Sequence, residues 1–194
     1  MFLKTSILKK IMKNAYTGAG LCVCNENGNI ILQGNSWMVM FPDGVIPKEM
    51  KGEIIKFIGD FPPKGEGFRI TKDGEQMALD VSDGQLFELD KKDDCVVTTI
   101  TIDTSEGQCS LIENSSTKEK FLINSAYTDI VDLDSLEETD EFPEGPYVPE
   151  GMSYALIWQT SEIKYMAAMK DFSANERVSR LLDALKGVDC NVRM

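Results

Sequence analysis

Apolar positions recur at two different spacings along this chain, and each change of spacing marks an element. Leu3, Ile7, Leu8, Ile11 and Met12 form one stripe at helical spacing. The stripe predicts a helix over about Thr5–Tyr16, with Thr5 or Ser6 as cap and Gly18 and Gly20 as the stop. The spacing then drops to two. Leu21–Cys24 and Ile30–Leu32 flank Asn27-Gly28, a dipeptide suited to the left-handed centre of a type I′ turn, so a hairpin is expected. Ser36–Phe41 continues as a strand and Pro42-Asp43-Gly44 ends it. Met50, Ile54, Ile55 and Ile58 restore the helical stripe, with Pro47 at its first position and Gly59 at its end. Phe68–Thr71 and Gln76–Val81 read as a hairpin around Asp73-Gly74. A turn at Asp83-Gly84 leads into Gln85–Leu89.

Asp90-Lys91-Lys92-Asp93-Asp94 is a charged break and the predicted domain boundary. Beyond it, Cys95–Ile102, Gln108–Ile112 and Lys118–Ile123 predict three short strands of an antiparallel meander, with a turn at Glu106-Gly107. Ser125–Leu136 is ambiguous. Tyr127, Ile130, Val131 and Leu133 suit a helix capped by Ser125. From Asp129 to Glu150 there are nine acids and no base, and Pro-Glu-Gly occurs twice, which predicts a loop. Met152–Thr160 resumes a strand with Tyr154, Leu156 and Trp158 alternating. Ile163–Met169 is its hairpin partner or a helix. Ser173-Ala174-Asn175-Glu176 has the form of a capping box before a stripe of Val178, Leu181, Leu182 and Leu185, closed by Gly187.

The fold class expected from these elements is α+β: antiparallel β-sheets with a few helices packed on one face. Residues 1–90 would form one subdomain and residues 95–170 a second, β-rich one carrying an acidic loop over 137–151. Residues 173–194 would add a terminal helix and tail.

Charge changes this picture because it is divided unevenly. The whole chain of 194 residues has 20 basic and 32 acidic side chains, a net charge of −12. Residues 1–72 hold ten bases and six acids, a net +4, and the remainder holds ten bases and twenty-six acids, a net −16. Lys9, Lys10 and Lys13 lie on the first predicted helix, and Lys48, Lys51 and Lys56 on the second. Field is local on the scale of a Debye length, roughly 8–10 Å, so a cationic helical surface on an acidic protein can attract phosphates. The alternative is that these charges only solvate helix faces.

Composition narrows the chemistry. The chain has no histidine, which removes the Ser-His-Asp triad, the Cys-His dyad and any imidazole base. A conventional zinc site loses its commonest ligand. The five cysteines include no Cys-x-x-Cys pair. Cys22 and Cys24 share a strand face and are either soft-metal ligands or, as free cysteines usually are, buried apolar residues. No nucleotide-binding glycine motif, nucleophile elbow or EF-hand spacing is present. No apolar run approaches membrane-spanning length. The expectation is a non-enzymatic cytoplasmic protein with no cofactor, no metal and no membrane partner. Trp37, Phe41, Tyr154 and Trp158 read as core residues rather than stacking platforms.

The order of features resembles a known family. The helix Leu8-Lys9-Lys10-Ile11-Met12-Lys13-Asn14-Ala15-Tyr16 leads into the hairpin Gly20–Asn35. Ser36-Trp37-Met38-Val39 follows, and then a helix beginning Ile46-Pro47-Lys48-Glu49. This is similar to one domain of a DNA sliding clamp, or processivity factor. Phe121-Leu122-Ile123-Asn124-Ser125-Ala126-Tyr127 resembles the strand-to-helix passage of clamp domains. Tyr154–Thr160 with Ile163–Met169 resembles their closing strand pair, although Met166-Ala167-Ala168-Met169 lacks the usual proline. The resemblance covers roughly residues 3–170, extends to small proteins of phages and prophages of Gram-positive bacteria, and is one of element order. It implies a homo-oligomer associated with double-stranded DNA, with Lys9, Lys10, Lys13, Lys48, Lys51 and Lys56 facing phosphates. A second expectation is an acidic interaction protein of phage origin that inhibits a host DNA-binding or defence protein. Asp129, Asp132, Asp134, Glu137, Glu138, Asp140 and Glu141 would then meet a basic partner.

Overall fold

The computed structural model describes residues 1–74, 76–79, 87–134, 136–138, 140–172 and 175–190. In chain order the elements are α1 (Thr5–Thr17), β1 (Leu21–Glu26), β2 (Asn29–Gln33), β3 (Trp37–Pro42), α2 (Lys48–Ile58), β4 (Gly67–Ile70) and β5 (Gln76–Ala78). They continue as β6 (Lys91–Thr104), β7 (Gly107–Asn114), β8 (Lys120–Asn124), α3 (Ser125–Thr128), β9 (Glu144–Pro149), β10 (Ala155–Gln159), β11 (Lys164–Ala168) and α4 (Glu176–Ala184). The fold is α+β, with an antiparallel sheet in the order β5-β4-β1-β2-β3-β11-β10-β9-β6-β7-β8. The two halves meet where β3 pairs with β11, Val39 opposite Tyr165. Strand β6 passes between neighbours. Its first residues, Lys91–Asp94, pair with β9, and Cys95–Thr104 pair with β7.

Alternation along the strands sorts side chains into two layers. Trp37, Val39 and Phe41 of β3, Leu156 and Trp158 of β10, and Tyr165 and Ala167 of β11 join one core. Leu8, Ile11 and Met12 of α1 and Met50, Ile54 and Ile58 of α2 pack on that face. Met38, Ile157 and Met166 point the other way and are covered by Phe87 and Met152. A third cluster has Cys109, Leu111 and Leu122 under Phe172 and Val178. Leu111 and Ile112 are neighbours on opposite faces, so α4 lies on the reverse of the sheet from α1, α2 and α3.

Several boundaries differ from the sequence reading. Helix α1 begins at Thr5 without a side-chain cap; Lys4 is the cap position, and its N–H donates to the Ile130 carbonyl at 2.8 Å. A bridge between Leu3 and Val131 replaces the local signal. The ambiguous segment contains only the short α3, capped by the Asn124 side chain rather than Ser125. The charged run at 91–94 is strand, because Lys91 pairs with Asp94 at 2.8 Å and with Glu144 at 2.9 Å. The acidic segment is not loop throughout. Its end is β9, with Tyr147, Val148 and Pro149 buried between β10 and β6. Its prolines are tolerated because the register with both neighbours shifts beside them. Tyr154 is 61% exposed, whereas Trp37, Phe41 and Trp158 are buried. The turn expected at Asp83-Gly84 and the cap expected at Ser173 lie outside the described residues.

The cap observed on α4 is Asn175, whose side-chain oxygen accepts from the Val178 N–H at 3.2 Å. Asn175→Ala is expected to lower stability by about 1 kcal/mol. It would be read as a lower urea midpoint at unchanged slope, and an unchanged midpoint would contradict it.

Candidate nucleic-acid interface

Helices α1 and α2 lie side by side on the same face of the sheet. Tyr16 and Phe57 meet between them as a tilted pair, with ring centroids 5.3 Å apart and planes at 55°. Lys9 of α1 reaches Glu53 of α2 at 3.5 Å. Each helix buries its apolar stripe in the sheet, so its polar residues must face outward. Helix α1 has three lysines and no acid, and α2 has three lysines and two glutamates. The six lysines of the sequence reading are therefore on one side of the molecule.

They are not equivalent. Glu53 takes Lys56 at 2.6 Å as well as Lys9. Its carboxyl is held below the ordinary range by the Lys56 hydrogen bond first, with Lys9 adding to it against the effect of burial. Lys51 pairs with Asp43 at 2.9 Å and lies over the Phe61 ring at 5.3 Å. Lys10, Lys13 and Lys48 are exposed and make no ion pair among the described residues. A cleft of about 340 Å3 runs beside α1, lined by Lys10, Asn14, Asn35, Trp37, Asn124 and Tyr127.

The acids at 129–141 are divided in the same way. Asp132 lies 3.8 Å from Lys4. Asp140 accepts from the Met1 ammonium at 3.2 Å and from the Glu137 N–H at 3.1 Å. Glu141 accepts from the Ser161 N–H at 2.9 Å and from its hydroxyl. These three fasten the segment to the rest of the fold. Asp129, Asp134, Glu137 and Glu138 are exposed, and their side chains make no ion pair among the described residues.

Two polar clusters escaped the sequence reading. The Ser110 hydroxyl donates to Ser125 at 3.0 Å and lies 2.9 Å from the Thr128 hydroxyl, all three buried beneath α3. No titratable group in this network activates a nucleophile. The second is a buried carboxylate. Glu113 of β7 stands opposite Lys120 of β8, 3.0 Å away, with both side chains 1% exposed. Lys118 at 2.9 Å and the Cys190 N–H at 2.7 Å complete its shell. Burial pushes the Glu113 carboxyl up, but Cys190, Lys118 and Lys120 outweigh it and hold it at about 2. The signal was present as a glutamate following Leu111-Ile112 and a lysine preceding Phe121-Leu122-Ile123. All five cysteines are free. The Cys95 thiol is pushed up to about 12, by burial first and then by Asp93 and Asp94, so it is not a nucleophile at neutral pH.

Among the described residues, no group of acids and cysteines has metal-site geometry, and no helix is long and apolar enough to cross a membrane. The chain matches no protein-family model, no curated protein and no solved structure.

Proposed function

We propose that this chain is a non-enzymatic, clamp-like accessory protein that holds double-stranded DNA against the outward face of α1 and α2. The observation that carries the reading is the common side of the two helices, with Lys10, Lys13 and Lys48 unneutralised there and no acid on α1. Such a face binds through phosphates, without reading sequence, and its affinity falls as salt weakens the drive from counterion release. A clamp-like role implies more than one copy around the duplex, because two small subdomains do not close a ring. Phage origin and a cytoplasmic setting belong to the same reading.

The test is binding of a labelled duplex over a series of salt concentrations. Replacing Lys10, Lys13 and Lys48 together by Gln is expected to flatten the slope of log affinity against log salt by about 3, near one for each phosphate that is no longer neutralised. Affinity should fall equally for unrelated sequences. Binding that the triple variant leaves intact, or no binding by the wild type at low salt, would sink the proposal.

A second reading has its own support. Leu133 and Phe142 are 43% and 68% exposed within the acidic segment. Exposed apolar groups among free carboxylates suit a basic protein partner. Loss of such a partner on replacing Phe142, with duplex binding absent, would favour this reading over the first.

A further inference from the structure

The cleft beside α1 draws on both halves of the chain, and the duplex reading does not use it. Its volume is about 340 Å3, near the lower end of the roughly 300–1,000 Å3 of small-molecule sites. Helix α1 supplies Lys10 and Asn14, the turn between β2 and β3 supplies Asn35, and the passage from β8 into α3 supplies Asn124 and Tyr127. Ile11 and Trp37, both buried, add apolar surface to the lining. The walls are fixed before any ligand arrives. The Gly34 N–H donates to the Trp37 carbonyl at 3.0 Å, and the Ala168 N–H to the Ser36 carbonyl at 2.8 Å, which ties the turn carrying Asn35 to β11. The Asn124 side-chain oxygen accepts from the Ala126 N–H at 3.0 Å, so its amide nitrogen is the group left to donate. The Tyr127 carbonyl accepts from the Tyr165 hydroxyl at 2.9 Å, and the Tyr127 hydroxyl is hydrogen-bonded to Ser36. Such preorganisation lowers the entropic cost of binding.

Among the described residues, Lys10 is the only charged side chain on the lining, so the cleft favours an anion. Three carboxamides accompany it. Each presents a donor and an acceptor in one plane, which matches the edge of a nucleobase. A phosphate or sugar phosphate alone would leave these amides and the apolar surface without a counterpart. Helix polarity sets the direction of the ligand. The last turn of α1 presents the negative end of the helix dipole beside Asn14 and Gly18, so an anion is disfavoured there and belongs at Lys10. Lys10 and Asn14 are one turn apart, about 6 Å along the axis, which is the order of the distance from a phosphate to the base it carries.

We infer that this cleft seats a single nucleotide, with its phosphate on Lys10, its base edge on the carboxamides of Asn14, Asn35 and Asn124, and its ring against Tyr127. The inference shares Lys10 with the duplex proposal and does not depend on it. The same chemistry is offered by an unpaired nucleotide at the end of a DNA strand and by a free mononucleotide.

The experiment is a titration of the wild-type protein with deoxyadenosine monophosphate, followed by nitrogen–proton correlation NMR. The side-chain amide signals of Asn14, Asn35 and Asn124 are expected to shift together and to saturate. That measurement needs no variant. Asn35→Asp, at an exposed position, puts a carboxylate in the cleft and should weaken binding about tenfold or more, with the rest of the spectrum unchanged. No shift of these amides at millimolar nucleotide overturns the inference. Equal shifts with inorganic phosphate or ribose 5-phosphate overturn it too, since the base would then contribute nothing. A second arm compares a blunt duplex with the same duplex carrying one unpaired 3′ nucleotide. Amide shifts with the overhang and not with the blunt end assign the cleft to a strand end, and shifts with the mononucleotide alone assign it to a free nucleotide; either upholds the site. Duplex binding is judged separately. A protein that binds the mononucleotide and no duplex keeps this inference and removes that reading, and one that binds duplex with the three amides unmoved by any nucleotide does the reverse.

Discussion

Replacing Glu113 by alanine is expected to cost about 3–5 kcal/mol, because it leaves a buried ammonium without its carboxylate. The Lys120 side chain is 1% exposed, and its ammonium donates to the Val188 carbonyl of the tail. Its remaining acceptors, the carbonyls of Lys118 and Val188, are neutral. The same loss removes the acceptor for the Cys190 N–H and one partner of Lys118. The tail should therefore loosen together with α4, whose Leu182 and Leu185 pack on the same sheet face. Urea unfolding gives the magnitude, and hydrogen exchange shows whether 185–190 opens first. The pH dependence follows from the same group. Its folded carboxyl titrates at about 2, below the ordinary value of 4.5, so its contribution is complete above about 4.5 and is lost as pH falls toward 2. Wild-type stability should decline through that window, and the Glu113→Ala variant should show a shallower decline. Equal slopes in the two proteins would show that Glu113 does not drive the acid transition.

Gly145→Ala is expected to cost about 2–5 kcal/mol, combining backbone strain with overpacking. Gly145 has φ +115°, a conformation that side chains rarely adopt. An added Cβ would collide with the Ile157 carbonyl oxygen of β10, which is backbone and cannot rotate away. Strands β9 and β10 would have to separate at a point where their register already shifts. The effect should exceed that of Gly151→Ala, also at positive φ (+76°) but facing open space. Comparing the two midpoints isolates the collision from the strain, and equal losses would remove the close approach as the cause.

The elements built on local pattern were legible in the sequence. The stripes of α1 and α2 and the Asn27-Gly28 hairpin carry their own signal. The β10–β11 pair was legible only as one of two readings, since Ile163–Met169 also suited a helix, and the structure makes it a strand with Leu156 opposite Ala167. Strand β9 was hidden because acids and prolines surround Tyr147-Val148, and its strand form depends on two neighbours distant in sequence. The same is true of Lys91–Asp94, whose charges are satisfied by ion pairs that no local rule reveals. At the candidate interface, lysine positions were legible, but their availability was not. Asp43 and Glu53 neutralise Lys51, Lys56 and part of Lys9, leaving Lys10, Lys13 and Lys48. Burial of Glu113 against Lys120 likewise depends on a tail that arrives much later in the chain.

The β3–β11 pairing has a consequence for how the chain acquires its fold. Met40 must find Lys164, so the strand Trp37–Pro42 is made early in synthesis and waits, one edge unsatisfied, for the other side of the seam. Pairings this distant in sequence slow folding, since the entropy of loop closure is surrendered before the pairing returns it. During that interval Trp37-Met38-Val39-Met40-Phe41 is an apolar strand with an open edge. Folding yield should therefore depend more on how quickly the second half appears than on the stability of the finished sheet.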